Sequence, residues 1–490
     1  MGGVAAVFSK SGIDAPGLVV KMLYAMQHRA QDGAAVAWDT NFESARSPSR
    51  LSVSSSIQQT AVGYALTKIL PSDSLQPVRA GDGWLCLDGR VVGNRTLVGG
   101  EEAAQLLENK LTPAELSLIQ RDTDGAYSLC FCTTNQLLVT RDQLGLKSLF
   151  IGNRDGLVAV ASERKALWAI GIRDAASFPP GGCLKASSDS SVVEFPSRQM
   201  PKASSRRYEE VDAEELSQLL IESVQVHTAG LGPISAGFSG GLDSTVLAKI
   251  AVDAGVDLLL VTVGAGRTLE TRLAESAAQS IGLRIAAKQL STDDVEECLD
   301  RVLWLIEEPN LMKVSVAMAM HWTAKAALEN GRHVIMLGQG SDELFGGYKR
   351  FATILGERGP EGSVEAISES IRDAYELNYQ RDEQAVSSLR VELRLPFATR
   401  KIVEFASAVP LRMKVRSPTD NLRKWILRDA AIKLGVPSAI ALRPKKAIQH
   451  ASGIEKAIRE IARKHGLSTL DYLEDRFGAL KNGHVAGHAE

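Results

Sequence analysis

Apolar positions along the chain fall into two regimes. Up to about residue 190 they form short runs of strand composition: Val4-Ala5-Ala6-Val7-Phe8, Trp84-Leu85-Cys86-Leu87, Tyr127 to Cys132, Gln136 to Thr140 and Val158 to Ser162. Leu18 to Gln27 has helical period, and Asp88-Gly89 is a turn signal. This pattern predicts a mostly antiparallel α+β layered domain. Ser187 to Arg207 is rich in Ser, Pro, Lys and Arg, lacks a sustained period and reads as a linker. Beyond it, Ala213 to Ala229 is an amphipathic helix with Leu216, Leu219, Leu220 and Val224 on one face. Continuous apolar runs then alternate with helical patterns. Strands end at Ala236-Gly237-Phe238 and Val263 and cover Leu283 to Ala287 and His333 to Leu337. Helices cover Thr245 to Ala254, Thr268 to Ile281 and Val295 to Ile306. Such alternation predicts a doubly wound α/β sheet with ligands at the C-terminal strand edge. The expected division is 1–190, a linker at 191–210, and 211–490, with a frayed polar tail from about Asn482.

Composition narrows the class. A chain of 490 residues is too long for one core. Its hydrophobic fraction of 44% is ordinary for a globular protein. A formal net charge of −2 gives no electrostatic case for nucleic acid or an anionic membrane. No run is apolar and long enough to span a bilayer, and no signal peptide is visible. The five cysteines lack C-x₂-C spacing, so reduced thiols in a cytoplasm are expected.

The candidate chemistry centres on Phe238-Ser239-Gly240-Gly241-Leu242-Asp243-Ser244, between a strand and a helix. There the first helical turn offers free N–H groups, and glycines let the main chain approach a phosphate. Asp243 would repel that phosphate unless a metal ion bridges them, so it reads as a Mg²⁺ ligand. No G-x-x-x-x-G-K-[ST] loop occurs. The alternative is a serine-rich turn capping a helix; the six residues together, in this strand-to-helix context, favour a nucleotide site. The hexapeptide Ser239 to Ser244 resembles the pyrophosphatase loop of ATP-dependent adenylating enzymes, which cleave ATP between its α and β phosphates.

Longer motifs carry a second resemblance. Gly338-Gln339-Gly340-Ser341-Asp342-Glu343-Leu344-Phe345-Gly346-Gly347-Tyr348 is similar to the signature of the asparagine synthetase family. Val391 to Phe397, Lys424-Trp425-Ile426-Leu427-Arg428 and Arg443-Pro444-Lys445-Lys446-Ala447-Ile448-Gln449 resemble its later motifs in order. The resemblance implies Asp342 as a second Mg²⁺ ligand and Lys445 as the active-site lysine facing the α-phosphate. The C-terminal strand edge, where Val263 and Leu337 lie, is where an adenine would sit, and Arg394 is expected to be structural. In the first domain, Met26 to Ala35, Arg141 to Leu149 and Ala161 to Leu167 resemble segments of N-terminal-nucleophile (Ntn) glutamine amidotransferases.

The departures point elsewhere. Where that family has a nucleophilic cysteine, this chain has Gly2. Its carboxylate-binding arginine is replaced by Leu66, within Gly63-Tyr64-Ala65-Leu66, and its oxyanion-hole asparagine by Asp88. A pseudo-glutaminase is expected. Gln339 stands where the signature has glutamate, and Ala398-Thr399 where the family has Leu-Asp. The resemblance thus implies a two-domain, ATP- and Mg²⁺-dependent ligase that joins ammonia to a carboxylate such as aspartate, with no nucleic-acid or membrane partner; a homodimer is compatible with it. Two rivals are a ligase acting on another acid and a non-catalytic ATP-binding protein.

Overall fold

The computed structural model describes residues 2–107, 119, 122–188, 191–192, 212–444 and 452–486. The chain divides into two compact units, 1–199 with 478–490, and 200–477.

The first unit is built on two antiparallel sheets. One runs in the order β12 (Ala176–Ser177), β10 (Phe150–Arg154), β11 (Leu157–Ala161), β1 (Gly2–Asp14), β4 (Ile57–Leu66), β2 (Gly33–Trp38), β3 (Asn41–Ala45). The other runs β14 (Ser191–Val192), β13 (Cys183–Ser187), β9 (Gln136–Arg141), β8 (Gly125–Thr133), β6 (Gly83–Val92), β5 (Val78–Ala80), with β7 (Leu97–Val98) also on β6. Side chains alternate across a strand. Accordingly, Ala5 and Val7 of β1 pack with Val19, Met22 and Leu23 of helix α1 (Ala15–Ala25). Val4, Ala6 and Phe8 instead face Cys86, Cys130, Cys132 and Val139 of the second sheet. That sheet buries Leu85, Leu87 and Leu129 against Ala103, Ala104 and Leu107 of helix α2 (Gly100–Leu107), and helix α3 (Arg164–Trp168) adds Ala166 and Leu167 to the core under the first sheet. The unbroken apolar runs of the sequence are therefore strands covered on both faces, within an α/β/β/α sandwich.

The Asp88-Gly89 turn expectation is corrected. Both residues lie inside β6, opposite Ser128 and Tyr127. Gly89 has φ +113°, and a Cβ there would sit 2.0 Å from the Ala126 carbonyl oxygen. Close strand approach, rather than chain reversal, selects the glycine.

The second unit carries a parallel sheet in the order β17 (Ile285–Leu290), β16 (Leu258–Ala265), β15 (Ile234–Gly237), β18 (Val334–Met336), β19 (Glu392–Arg394). Helices connect the strands: α4 (Ala213–Thr228) precedes β15, α5 (Leu242–Asp253) and α6 (Leu269–Ser280) follow β15 and β16, and α7 (Thr292–Ile306) and α8 (Leu311–Glu329) lead to β18. This is the doubly wound α/β architecture. From β15 the chain winds outward through β16 and β17, then returns to β15's other side with β18. The crevice of such a sheet opens where that direction reverses, at the C-terminal ends of β15 and β18. The frayed tail is also corrected: the helix Thr469–Ala486 runs through Asn482, and residues 487–490 lie outside the described residues. Among the described residues, no helix is long and apolar enough to cross a membrane.

Candidate active site

Both loops at the reversal point carry chemistry. After β15 the chain passes through buried Phe238 and exposed Ser239 to Gly240, whose φ is +67°. A Cβ on Gly240 would lie 2.9 Å from Ala274 Cα, so the loop packs directly on α6. Helix α5 then starts with Gly241 at its N-cap and no side-chain cap. Helices α4, α6, α7 and α8 are each capped, by Asp212, Thr268, Ser291 and Asn310. The first turn of α5 thus keeps N–H groups that no cap side chain takes, the arrangement that receives an anion. Thr245 and Ser244 hydroxyls instead brace the loop by donating to the Gly241 carbonyl at 2.7 and 3.4 Å.

After β18, Leu337 and Gly338 lead into the short helix α9 (Ser341–Phe345). A Cβ on Gly338 would lie 3.0 Å from Asp243 Cβ, and one on Gly237 would lie 2.3 Å from Leu337 Cδ2. The two loops therefore touch. Val263, opposite Lys288 near the C-terminal end of the neighbouring strand β16, is half-buried.

Asp243 and Asp342, which the sequence paired only by resemblance, share one partner. The Lys424 ammonium lies 2.8 Å from both Asp243 oxygens and 2.5 Å from Asp342 Oδ1, and donates to Ser341 Oγ at 2.6 Å. The lysine side chain is only 2% exposed; burial pushes its pKa down while Asp243 pulls it up. Its backbone is costly. Arg423 and Lys424 are consecutive non-glycine residues at φ +54° and +53°, each worth of order 1–3 kcal/mol of strain. Buried Arg428 offsets this by donating to the carbonyls of Leu422, Arg423, Ala441 and Arg443. Asp420 accepts from the Leu422 and Arg423 N–H groups. Lys424 is the residue that sequence reasoning missed: it was visible only as the first letter of a motif.

Gly347 serves this cluster by lacking a side chain. A Cβ there would meet Asp342 Oδ1 at 1.9 Å and Lys424 Cε at 2.2 Å. Behind the loop, buried Glu343 accepts from Tyr348 Oη and from Asn378 Nδ2, and burial raises its pKa. Gln339 donates Nε2 to buried Asp382 at 2.5 Å, and Arg381 pairs with the same carboxylate at 2.8 Å. Burial raises the Asp382 pKa and Arg381 opposes the rise. Arg394 pairs with Glu392 at 2.6 Å, which suits a buttress. Lys445 lies outside the described residues; Arg443, two positions earlier, donates to the Gly240 carbonyl at 3.1 Å.

The donors fit a small hard cation. Two carboxylates on helices that follow separate strands already hold one positive group between them, and Mg²⁺ takes one or two carboxylates, completing its shell with phosphates and water. Among the described residues no cluster of three or more His, Cys, Asp or Glu could hold a metal without such help.

The corresponding region of the first unit has a different content. The Gly2 N–H donates to Asp88 Oδ1 at 3.1 Å, and Arg29 donates to the Gly2 carbonyl at 3.0 Å. Lys147 lies 3.5 Å from Asp88, with Arg29 at 3.9 Å. A Cβ on Gly2 would fall 2.1 Å from the Ala65 carbonyl oxygen and 2.6 Å from the Tyr64 ring. Leu66 pairs with Gly2 across the sheet. Below it, Glu163 joins two of the quoted segments: His28 at 2.9 Å, Arg29 at 2.5 Å and Lys165 at 2.5 Å all converge on it. Burial pushes the Glu163 carboxyl up, yet its contacts with His28, Lys165 and Arg29 hold it well below the usual range.

An anion-receiving loop at the reversal point of a parallel sheet, joined by a carboxylate pair and a fixed cation, suits an enzyme that handles a phosphate-bearing substrate. The chain belongs to the asparagine synthase family, whose model matches residues 215–390 and 370–475. A glutamine amidotransferase domain model matches residues 65–169. The protein named Putative asparagine synthetase 1, glutamine-hydrolyzing, of Methanocaldococcus jannaschii is 32% identical over 400 residues, 72% of this chain and 73% of its own length. Asparagine synthetase B, glutamine-hydrolyzing, of Escherichia coli is 25% identical over 357 residues; the match covers 69% of this chain and 63% of that protein. A glutamine phosphoribosylpyrophosphate amidotransferase from B. subtilis aligns at TM-score 0.32 and 18% identity, covering 58% of this chain and 65% of that one.

Proposed function

We propose that this chain activates a carboxylate, aspartate first, as an acyl-adenylate and then amidates it with free ammonia. A substrate carboxylate oxygen attacks the α-phosphorus of ATP, and the bond to the β-phosphate oxygen breaks. Nitrogen then attacks the acyl carbon, AMP leaves with the carboxylate oxygen, and the nitrogen loses a proton. The loop Ser239 to Ser244 receives the pyrophosphate through its uncapped N–H groups. Asp243 and Asp342 would hold Mg²⁺, which neutralises the departing pyrophosphate. Phe238, Val263, Leu337 and Gly338 line the nucleotide side, and Lys445 stabilises charge growing on the α-phosphate. The observation that carries this reading is the convergence of Asp243 and Asp342 on one cation at the sheet's reversal point.

Ammonia is preferred over glutamine because Gly2 offers no nucleophile and the space beside it is filled. An Asp88 carboxylate would also repel an oxyanion. Units 1–190 and 211–490 are the proposed functional division, and a cytoplasmic location accompanies it. Purified protein with aspartate and ammonium should release AMP and pyrophosphate and form amide. Replacing ammonium by glutamine should abolish amide formation, and an equal yield from glutamine would refute the ammonia reading.

A second reading, a different carboxylate substrate, is favoured by Gln339. Its amide N–H is committed to Asp382, so it presents a neutral carbonyl where the signature carries glutamate. Pyrophosphate exchange across a panel of acids separates the two readings.

A further inference from the structure

The Lys424 ammonium occupies the place where a cation between Asp243 and Asp342 belongs, and it is delivered there by strained backbone. Gly347 leaves room for it, Ser341 Oγ accepts a hydrogen bond from it, and the Arg428 and Asp420 contacts hold its loop. A lysine tethered this firmly is more than a solvated charge near an acidic pair. The geometry points to Lys424 as a resident counter-ion that makes metal entry conditional on the nucleotide. The inference rests on the ATP reading proposed above.

The charges explain the coupling. Two carboxylates and one ammonium sum to −1, so a free divalent ion meets half the charge of the bare pair and a fixed positive neighbour. A nucleotide triphosphate changes both terms. It brings phosphate oxygens that complete the shell of Mg²⁺, and its negative charge gives the displaced ammonium a new partner. Metal and nucleotide therefore bind as a pair, each raising the other's affinity, as linkage requires. The empty enzyme keeps its carboxylates converged without metal, and Lys424 acts as a positioning residue for them.

The test uses the full chain and Mn²⁺ as the probe, read by electron paramagnetic resonance without turnover. Free Mn²⁺ should bind the wild type weakly and bind much more tightly with a non-hydrolysable ATP analogue present. Lys424→Met should bind Mn²⁺ alone about tenfold or more tightly than wild type, since a repelling unit charge is gone. It should also lose most of the gain given by the analogue. Lys424→Arg, which keeps the charge, should behave like wild type. Adding Asp342→Asn to Lys424→Met should remove the gain in metal affinity.

If Lys424→Met is poorly folded, its melting temperature must rise more on Mn²⁺ addition than that of wild type, because the metal replaces the missing cation. Lys424→Met binding Mn²⁺ no more tightly than wild type, or melting unresponsive to Mn²⁺, overturns the inference. A wild type that binds no Mn²⁺-nucleotide at all would sink the ATP reading instead.

Discussion

Replacing Gly2 by cysteine restores the residue type that the glutaminase chemistry needs and should still fail. The new Cβ would stand 2.1 Å from the Ala65 carbonyl oxygen and 2.6 Å from Tyr64 Cζ and Oη, where 3.0 Å is the practical lower limit. The tyrosine is 3% exposed within the core between the sheets, and Ala65 is hydrogen-bonded strand, so neither yields freely. Overpacking of this kind costs about 1–3 kcal/mol. The thiol, if accommodated, would also face Asp88, which accepts from the Gly2 N–H. Urea unfolding followed by near-UV signals of the first unit should show that loss. Glutamate release from glutamine should stay at background in Gly2→Cys. A Gly2→Cys protein as stable as wild type that hydrolyses glutamine would refute the argument that the site has been closed by packing.

Three further outcomes follow from the same contacts. Gly347→Ala should displace Asp342 or Lys424 and lower pyrophosphate exchange by about 100-fold, the usual scale for a 1 Å misplacement; an unchanged rate would contradict it. Gln339→Glu would place a second carboxylate against buried Asp382, so its melting temperature should fall at neutral pH and partly recover in acid. His321 is buried and His227 half-buried, and desolvation lowers both pKa values to about 4, each with Nδ1 against a carbonyl oxygen, of Ala385 and Ser223 respectively. Between the unfolded value near 6.5 and that folded value the unfolded chain binds more protons. The stability of the second unit should therefore be full above pH 6.5 and fall on acidification toward pH 4, by up to about 3 kcal/mol per histidine. His227→Gln should flatten that slope in chemical denaturation across the range.

The parts legible in the sequence were those whose physics is local. A glycine loop between an apolar strand and a helix shows itself in seven consecutive residues, and the signature after β18 does so in eleven. What stayed hidden depends on distant partners. Lys424 reaches Asp243 across 181 positions and Ser341 across 83, and its left-handed backbone is braced by Arg428 and Asp420, so in sequence it shows only as the first residue of a motif. Asp88-Gly89 has the local chemistry of a turn, yet pairing with β8 and the Gly2 N–H draws it into a strand. Helix α8 gave no periodic signal because its middle, Val314 to Ala324, is buried on every side. The quoted amidotransferase segments looked like separate motifs until Glu163 joined two of them.

Exchange of radiolabelled pyrophosphate into ATP, measured with aspartate and Mg²⁺ in wild type, Asp243→Asn and Asp342→Asn, addresses the central claim most directly. Each substitution keeps side-chain volume and removes one charge from the pair. The account predicts exchange in wild type and a loss of at least about 100-fold in either variant, with folding retained. Undiminished exchange in Asp243→Asn or Asp342→Asn would contradict it.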